Sequence, residues 1–136
     1  MKHRHLAPQV LAALADTPVV FVQGPQQSGK TTLVHSLRKH GHAAEYRTLD
    51  DAGVLAAARS DPDGFVDNLP ERVILDEVQR APDLFRAIKR SVDARRKPGR
   101  FLLTGSANAL VLPKVSESLA GRMEMLTLAP FSQGGN

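Results

Sequence analysis

The sequence has no cysteine, no tryptophan, one tyrosine and five phenylalanines in 136 residues. Without cysteine there is no disulfide framework, no thiolate metal site and no cysteine nucleophile. So few aromatic rings leave no evident platform on which the bases of a single strand could stack. No apolar run approaches the roughly twenty residues that a membrane-crossing helix needs. Low-complexity tracts and internal repeats are also missing, and the expected location is the cytoplasm.

The composition that remains is that of a folded domain. Hydrophobic residues make up 42% and charged residues 24% of the chain, a globular rather than a disordered balance. The length suits a single domain over residues 1–136 with one core. A formal net charge of +4 permits an anionic partner, which a nucleotide satisfies as well as nucleic acid does. Lys2-His3-Arg4-His5 followed by apolar residues has the outline of a secretion signal, but Pro8, Gln9 and Asp16 interrupt it. An amphipathic helix with Leu6, Val10, Leu11 and Leu14 on one side is expected instead.

Short apolar runs then alternate with helical patterns, the signature of an α/β sheet covered on both faces. Strands are expected at Val19 to Gln23, Glu45 to Leu49, Arg72 to Leu75, Phe101 to Thr104 and Met123 to Leu128. Between them fall helices from Lys30 to Lys39, from Asp50 or Asp51 to Arg59, and from Asp83 to Arg95, with a weaker one from Ser116 to Leu119. Gly41 stands where a left-handed helix cap is expected. Asp61-Pro62-Asp63-Gly64 reads as a turn or a new helix start.

The first strand runs directly into Gly24 to Thr31, read GPQQSGKT, in which four residues separate two glycines and Lys-Thr follows. This is the phosphate-binding loop pattern. The backbone must curl so that successive N–H groups point at a phosphate chain, and Gly24 and Gly29 supply the close approach. Lys30 would place its ammonium between the β- and γ-phosphates. Thr31 would offer a hydroxyl to Mg²⁺ and open a helix whose N-terminus favours anions.

The apolar strand Val73-Ile74-Leu75 ends on Asp76-Glu77. In open α/β sheets ligands bind beyond the carboxyl ends of strands, so the two acids and the phosphate loop should meet at one crevice. Asp76 would hold Mg²⁺, and Glu77 would polarise the water that attacks the γ-phosphate. A strand inserted between loop and acids, with glutamate after aspartate, favours hydrolysis over transfer to a metabolite.

These stretches resemble the AAA-type P-loop ATPases, in particular a bacterial and archaeal subgroup whose core is normally followed by a helical lid and a further C-terminal domain. The resemblance rests on GPQQSGKTT at Gly24 to Thr32, VILDEVQ at Val73 to Gln79, FLLTGSAN at Phe101 to Asn108 and LAGRMEMLTLAPFS at Leu119 to Ser132. It implies a three-layer P-loop NTPase sandwich with a parallel five-stranded sheet in the order 5-1-4-3-2. It also implies ATP and Mg²⁺ as cofactors. The nucleotide-binding set becomes Gly24, Pro25, Gln26, Gln27, Ser28, Gly29, Lys30, Thr31 and Thr32, with Thr31 and Asp76 as metal ligands. Thr104-Gly105-Ser106 resembles the segment that senses the γ-phosphate, with Ser106 the first choice and Asn108 the second. Arg122 holds the Gly-Arg position, an arginine finger or an interface residue. The lid and C-terminal domain have no counterpart in this sequence, so an ATPase core alone is expected, with binding stronger than turnover.

Competing readings remain open: an ATP-binding switch or interaction module with little turnover, a DNA-associated ATPase, and a metabolite kinase. The DNA reading rests on the basic helix carrying Arg86, Lys89, Arg90, Arg95, Arg96 and Lys97, with Arg100 beyond it. A solvated face explains those charges equally well. His3, His5, His35, His40 and His42 lack metal-ligand spacing and are expected at the surface.

Overall fold

The computed structural model describes residues 2–24, 30–106 and 117–128. Strands β1 (Val19–Gln23), β2 (Glu45–Thr48), β3 (Val73–Asp76), β4 (Phe101–Gly105) and β5 (Met123–Thr127) form one parallel sheet in the order β2-β3-β4-β1-β5. This is the expected 5-1-4-3-2 order. Helices α1 (Lys2–Asp16), α2 (Lys30–His40), α3 (Ala52–Ser60), α4 (Pro62–Asp67) and α5 (Leu84–Ala94) cover its faces.

Alternation along the central strands decides which helix packs where. Val19 and Phe21 of β1, Leu75 of β3 and Leu103 of β4 face α5 and its neighbours, meeting Leu84, Phe85, Ile88 and Val92. Their strand neighbours Val20, Val22, Ile74 and Leu102 point the other way, onto Val10 and Leu14 of α1 and Leu33, Val34 and Leu37 of α2. A strand buried on both faces reads as a continuous apolar run, which is why β1, β3 and β4 are legible as such. The Phe21 and Phe85 rings lie 6.4 Å apart, within the range of favourable aromatic pairs.

Local chemistry sets the helix ends. Asp51 caps α3 by accepting from the N–H groups of Gly53 and Val54 at 2.9 and 3.1 Å. Asp61 caps α4 by accepting from Gly64 N–H at 3.1 Å, so the Asp-Pro-Asp-Gly stretch is a helix start. Asp83 precedes α5 but makes no side-chain cap bond. The C-terminal end of α5 is held by Arg100, which donates to the carbonyls of Ser91 and Arg95 at 2.9 and 3.0 Å.

The expected N-terminal helix is present as α1 and continues through Pro8. Three expectations change. Gly41 is not among the glycines with positive φ; its missing side chain instead admits Leu11, whose Cδ2 would lie 3.1 Å from an added Cβ. His42 is buried rather than superficial. Arg100 turns inward and is buried, so it leaves the basic face. The stretch from Ser116 is described only from residue 117, where a short helical segment leads into the Gly121-Arg122 turn. No helix of the described residues is long and apolar enough to cross a membrane.

Candidate functional site

Parallel pairing places every strand's carboxyl end on the same side. Gln23 is level with Gly105 and Thr127, and Thr48 with Asp76, so the loop start at Gly24 and the acids emerge together. Gly24 N–H donates to the Gly105 carbonyl at 3.1 Å, tying the first residue of the phosphate loop to the exit of β4.

Lys30 opens α2 with its side chain 2% exposed. Its Nζ donates to the Gly24 carbonyl at 3.1 Å and stands 3.9 Å from Glu77 Oε2. Thus the lysine spans the base of the loop and reaches the strand-end glutamate. Pro25, Gln26, Gln27, Ser28, Gly29 and Asn108 lie outside the described residues. Thr31 and Thr32 lie in the first turn of α2, with the Thr31 side chain outside the description. Ser106 immediately follows β4, one residue beyond Gly105.

Asp76, at the end of β3, is buried. Its Oδ1 accepts from Thr104 Oγ1 on β4, and its Oδ2 accepts from Tyr46 Oη on β2 at 2.5 Å. The same Thr104 oxygen accepts from Glu77 N–H at 3.1 Å. Carboxylates accepting from hydroxyls make strong, directional bonds, so the plane of Asp76 is fixed by its two flanking strands. Burial, followed by the hydrogen bond and charge of Asp76, raises the Tyr46 pKa far above its ordinary value, keeping the phenol a donor. The Tyr46 ring meets His35 of α2 with centroids 4.6 Å apart.

Glu77 adopts φ 58° and ψ 45°, and among the described residues it is the only one other than glycine with positive φ. This left-handed residue turns the chain from β3 into a 3-10 turn, Val78–Arg80. The turn brings Gln79 back, and its Nε2 donates to Glu77 Oε1 at 2.8 Å. Non-glycine residues in this region carry strain and persist where their surroundings hold them.

Arg122 stands elsewhere. It precedes Met123, which is level with Val19 at the opening of β1, so it lies at the opposite end of the sheet from Gly24. That separation is about 20 Å, six residue steps along the strand direction. Asp93 Oδ1 and Oδ2 accept from its guanidinium at 2.6 and 3.2 Å, and this pairing raises the Arg122 pKa and lowers that of Asp93. The basic helix is likewise partly neutralised: Arg90 pairs with Asp63 and Asp67, and Lys97 with Glu71.

Sequence reasoning assigned no role to Tyr46 or Gln79, and named Thr104 only as part of a segment. A groove of about 1180 Å³ beside α2, lined by His35, Arg38, Lys39 and Arg72 among others, touches the expected nucleotide-binding set at Thr32 and includes none of Lys30, Asp76 or Glu77. The candidate site is therefore defined by its chemistry and not by that hollow. Among the described residues no group of three or more His, Cys, Asp or Glu could hold a metal. A single buried carboxylate suits Mg²⁺, which keeps several waters and completes its shell with substrate phosphates.

Uncharacterized protein Rv2008c of Mycobacterium tuberculosis and uncharacterized protein Mb2031c of Mycobacterium bovis are each 39% identical over 130 residues, 95% of this chain and 29% of theirs. The chain thus spans less than a third of those curated relatives. Among solved structures, the Walker-type ATPase PABY2304 of Pyrococcus abyssi has a TM-score of 0.60 at 12% identity, over 97% of this chain and 54% of that one. A DNA replication initiation factor has a TM-score of 0.52 at 14% identity, over 90% and 44%. At these identities the likeness is one of fold. Residues 16–135 match the AAA domain family, and the chain belongs to that family.

Proposed function

We propose that this domain binds ATP with Mg²⁺ and hydrolyses its terminal phosphoanhydride. The observation that carries the reading is the meeting of Lys30 and Glu77, 3.9 Å apart and both largely shielded from water. A loop lysine and a strand-end carboxylate brought together at the carboxyl edge of a P-loop sheet is an arrangement that few other chemistries require.

In this reading Lys30 exchanges Glu77 for oxygens of the β- and γ-phosphates. Glu77 then accepts a proton from water as the water oxygen bonds to the γ-phosphorus. The bond from that phosphorus to the bridging oxygen breaks, and ADP leaves with the electron pair. Asp76 and Thr31 would hold Mg²⁺, which would supply charge neutralisation on the phosphates. Thr104 and Tyr46 fix the orientation of Asp76. Gly24 to Thr32 cradles the phosphates, and Ser106, one residue beyond β4, is the first choice to sense the γ-phosphate, with Asn108 the second.

Phosphate release by the purified chain in Mg-ATP tests this, followed by two variants. Glu77→Gln should lower kcat by about a hundredfold with nucleotide still bound, and Lys30→Ala should abolish binding. A chain that does not bind Mg-ATP at millimolar concentration would sink the reading. An ATP-dependent switch with little turnover is a second reading, favoured by the engagement of Glu77 by both Lys30 and Gln79. Saturable binding without phosphate release, insensitive to Glu77→Gln, would select it. A DNA-associated role draws less support, because Arg90, Lys97 and Arg100 are already engaged within the domain.

A further inference from the structure

We infer that Gln79 is a positioning residue for Glu77, holding its carboxylate where the attacking water must stand; this rests on the hydrolytic reading above. Three observations converge. Glu77 is fixed in the left-handed region, with its N–H donated to Thr104. That conformation starts the 3-10 turn that returns the Gln79 amide to Glu77 Oε1 at 2.8 Å. The amide also needs the absent side chain of Gly105, because an added Cβ would lie 2.7 Å from Gln79 Oε1.

The two contacts on the Glu77 carboxylate differ in kind. Lys30 faces Oε2 at 3.9 Å, an ion pair longer than a hydrogen bond, and in the hydrolytic reading its ammonium turns to the phosphate oxygens. Gln79 is neutral and has no stronger attraction to the nucleotide, so its bond persists while the lysine leaves. One oxygen is thereby held and the other is released toward water. The Gln79 carbonyl oxygen is buried without a hydrogen-bond partner, a cost that is accepted because the amide nitrogen faces Glu77.

The test combines turnover with a readout that needs none. Gln79→Met removes the donor at similar volume and should lower kcat about tenfold, the loss of one hydrogen bond to a charged group, with KM for ATP unchanged. Gln79→His, which keeps an N–H at comparable reach, should restore part of the loss. In the nucleotide-free protein, Gln79→Met should lower Tm by about 3–5 °C, and clearly less in a Glu77→Ala background, where the acceptor is gone. Equal Tm losses in the two backgrounds would overturn the inference. So would an unchanged kcat for Gln79→Met in a chain that hydrolyses ATP. If the parent chain hydrolyses no ATP, the proposed function falls by itself, and the Tm comparison still decides whether Gln79 holds Glu77.

Discussion

Tyr46 reaches across from β2 to donate its hydroxyl to Asp76 Oδ2 at 2.5 Å. The acid at the end of β3 is therefore oriented by the tyrosine of an edge strand. Tyr46→Phe keeps the ring and its contact with His35 while removing the donor. Unfolding free energy in urea should fall by about 1–2 kcal/mol. If Asp76 holds Mg²⁺ as proposed, the Mg²⁺ concentration for half-maximal activity should rise about tenfold, as for a ligand that loses an outer partner. A Mg²⁺ titration that superimposes on the parent's would show that Asp76 is oriented without Tyr46.

Thr104 has a fully buried side chain and serves two partners at once, donating to Asp76 and accepting from Glu77 N–H. Thr104→Val matches its volume and removes both bonds. The parent should exceed this variant in stability by about 2–4 kcal/mol, because two buried polar groups lose a partner. Thr104→Ser should recover most of the difference in the same denaturation experiment.

Gly105 is closely overlaid by Gln79 and by Phe21, whose Cζ would lie 3.0 Å from an added Cβ. The amide can swing away but the ring is packed in the core. Gly105→Ala should therefore cost about 1–3 kcal/mol through overpacking. It should also displace Gln79, so its kcat defect and that of Gln79→Met should not add when the two are combined.

His42 is buried, and its Nε2 has no hydrogen-bond partner. Burial lowers its pKa below 6.5, helped by the nearby charge of Arg72. The sign follows from proton linkage: below pH 6.5 the unfolded chain takes up the proton first, so the folded state loses stability as pH falls. Above that value both states are neutral at this position and the contribution is fully present. Replacing His42 by Gln should flatten the dependence of unfolding free energy between pH 7 and pH 5, measured by denaturant titration at each pH. An unchanged slope would assign the effect to other groups.

Much of the fold was open to reading because the pattern is local. A β-branched run before Gly24 and an apolar run before Asp76 place two strand ends, and the parallel sheet then carries Lys30 and Glu77 to the same edge. Tyr46 was not legible. On a short alternating strand it is one polar-tipped residue among several, and its meeting with Asp76 depends on which strand β2 pairs with. Gln79 stood inside a quoted motif without a role, because the left-handed turn at Glu77 that brings it back is a conformational choice with no glycine to announce it. The inward turn of Arg100 was hidden for a related reason. A charge beside a basic helix looks solvated until the helix's last carbonyls are seen to need donors.

Strand β2 sits on the perimeter of the sheet with one neighbour, β3, yet it carries the hydroxyl that steadies the acid at the centre. Perimeter strands are the first to fray, opening at a fraction of the energy that melts the whole domain. A departure of β2 would take the Tyr46 bond from Asp76 and leave that of Thr104. Under the hydrolytic function proposed above, warming should extinguish Mg²⁺-dependent turnover several degrees before ellipticity is lost, and deuterium should enter the amides of Tyr46 and Arg47 in step with that early failure. That outcome would set a thermal limit on the proposed work below the thermal limit on the shape.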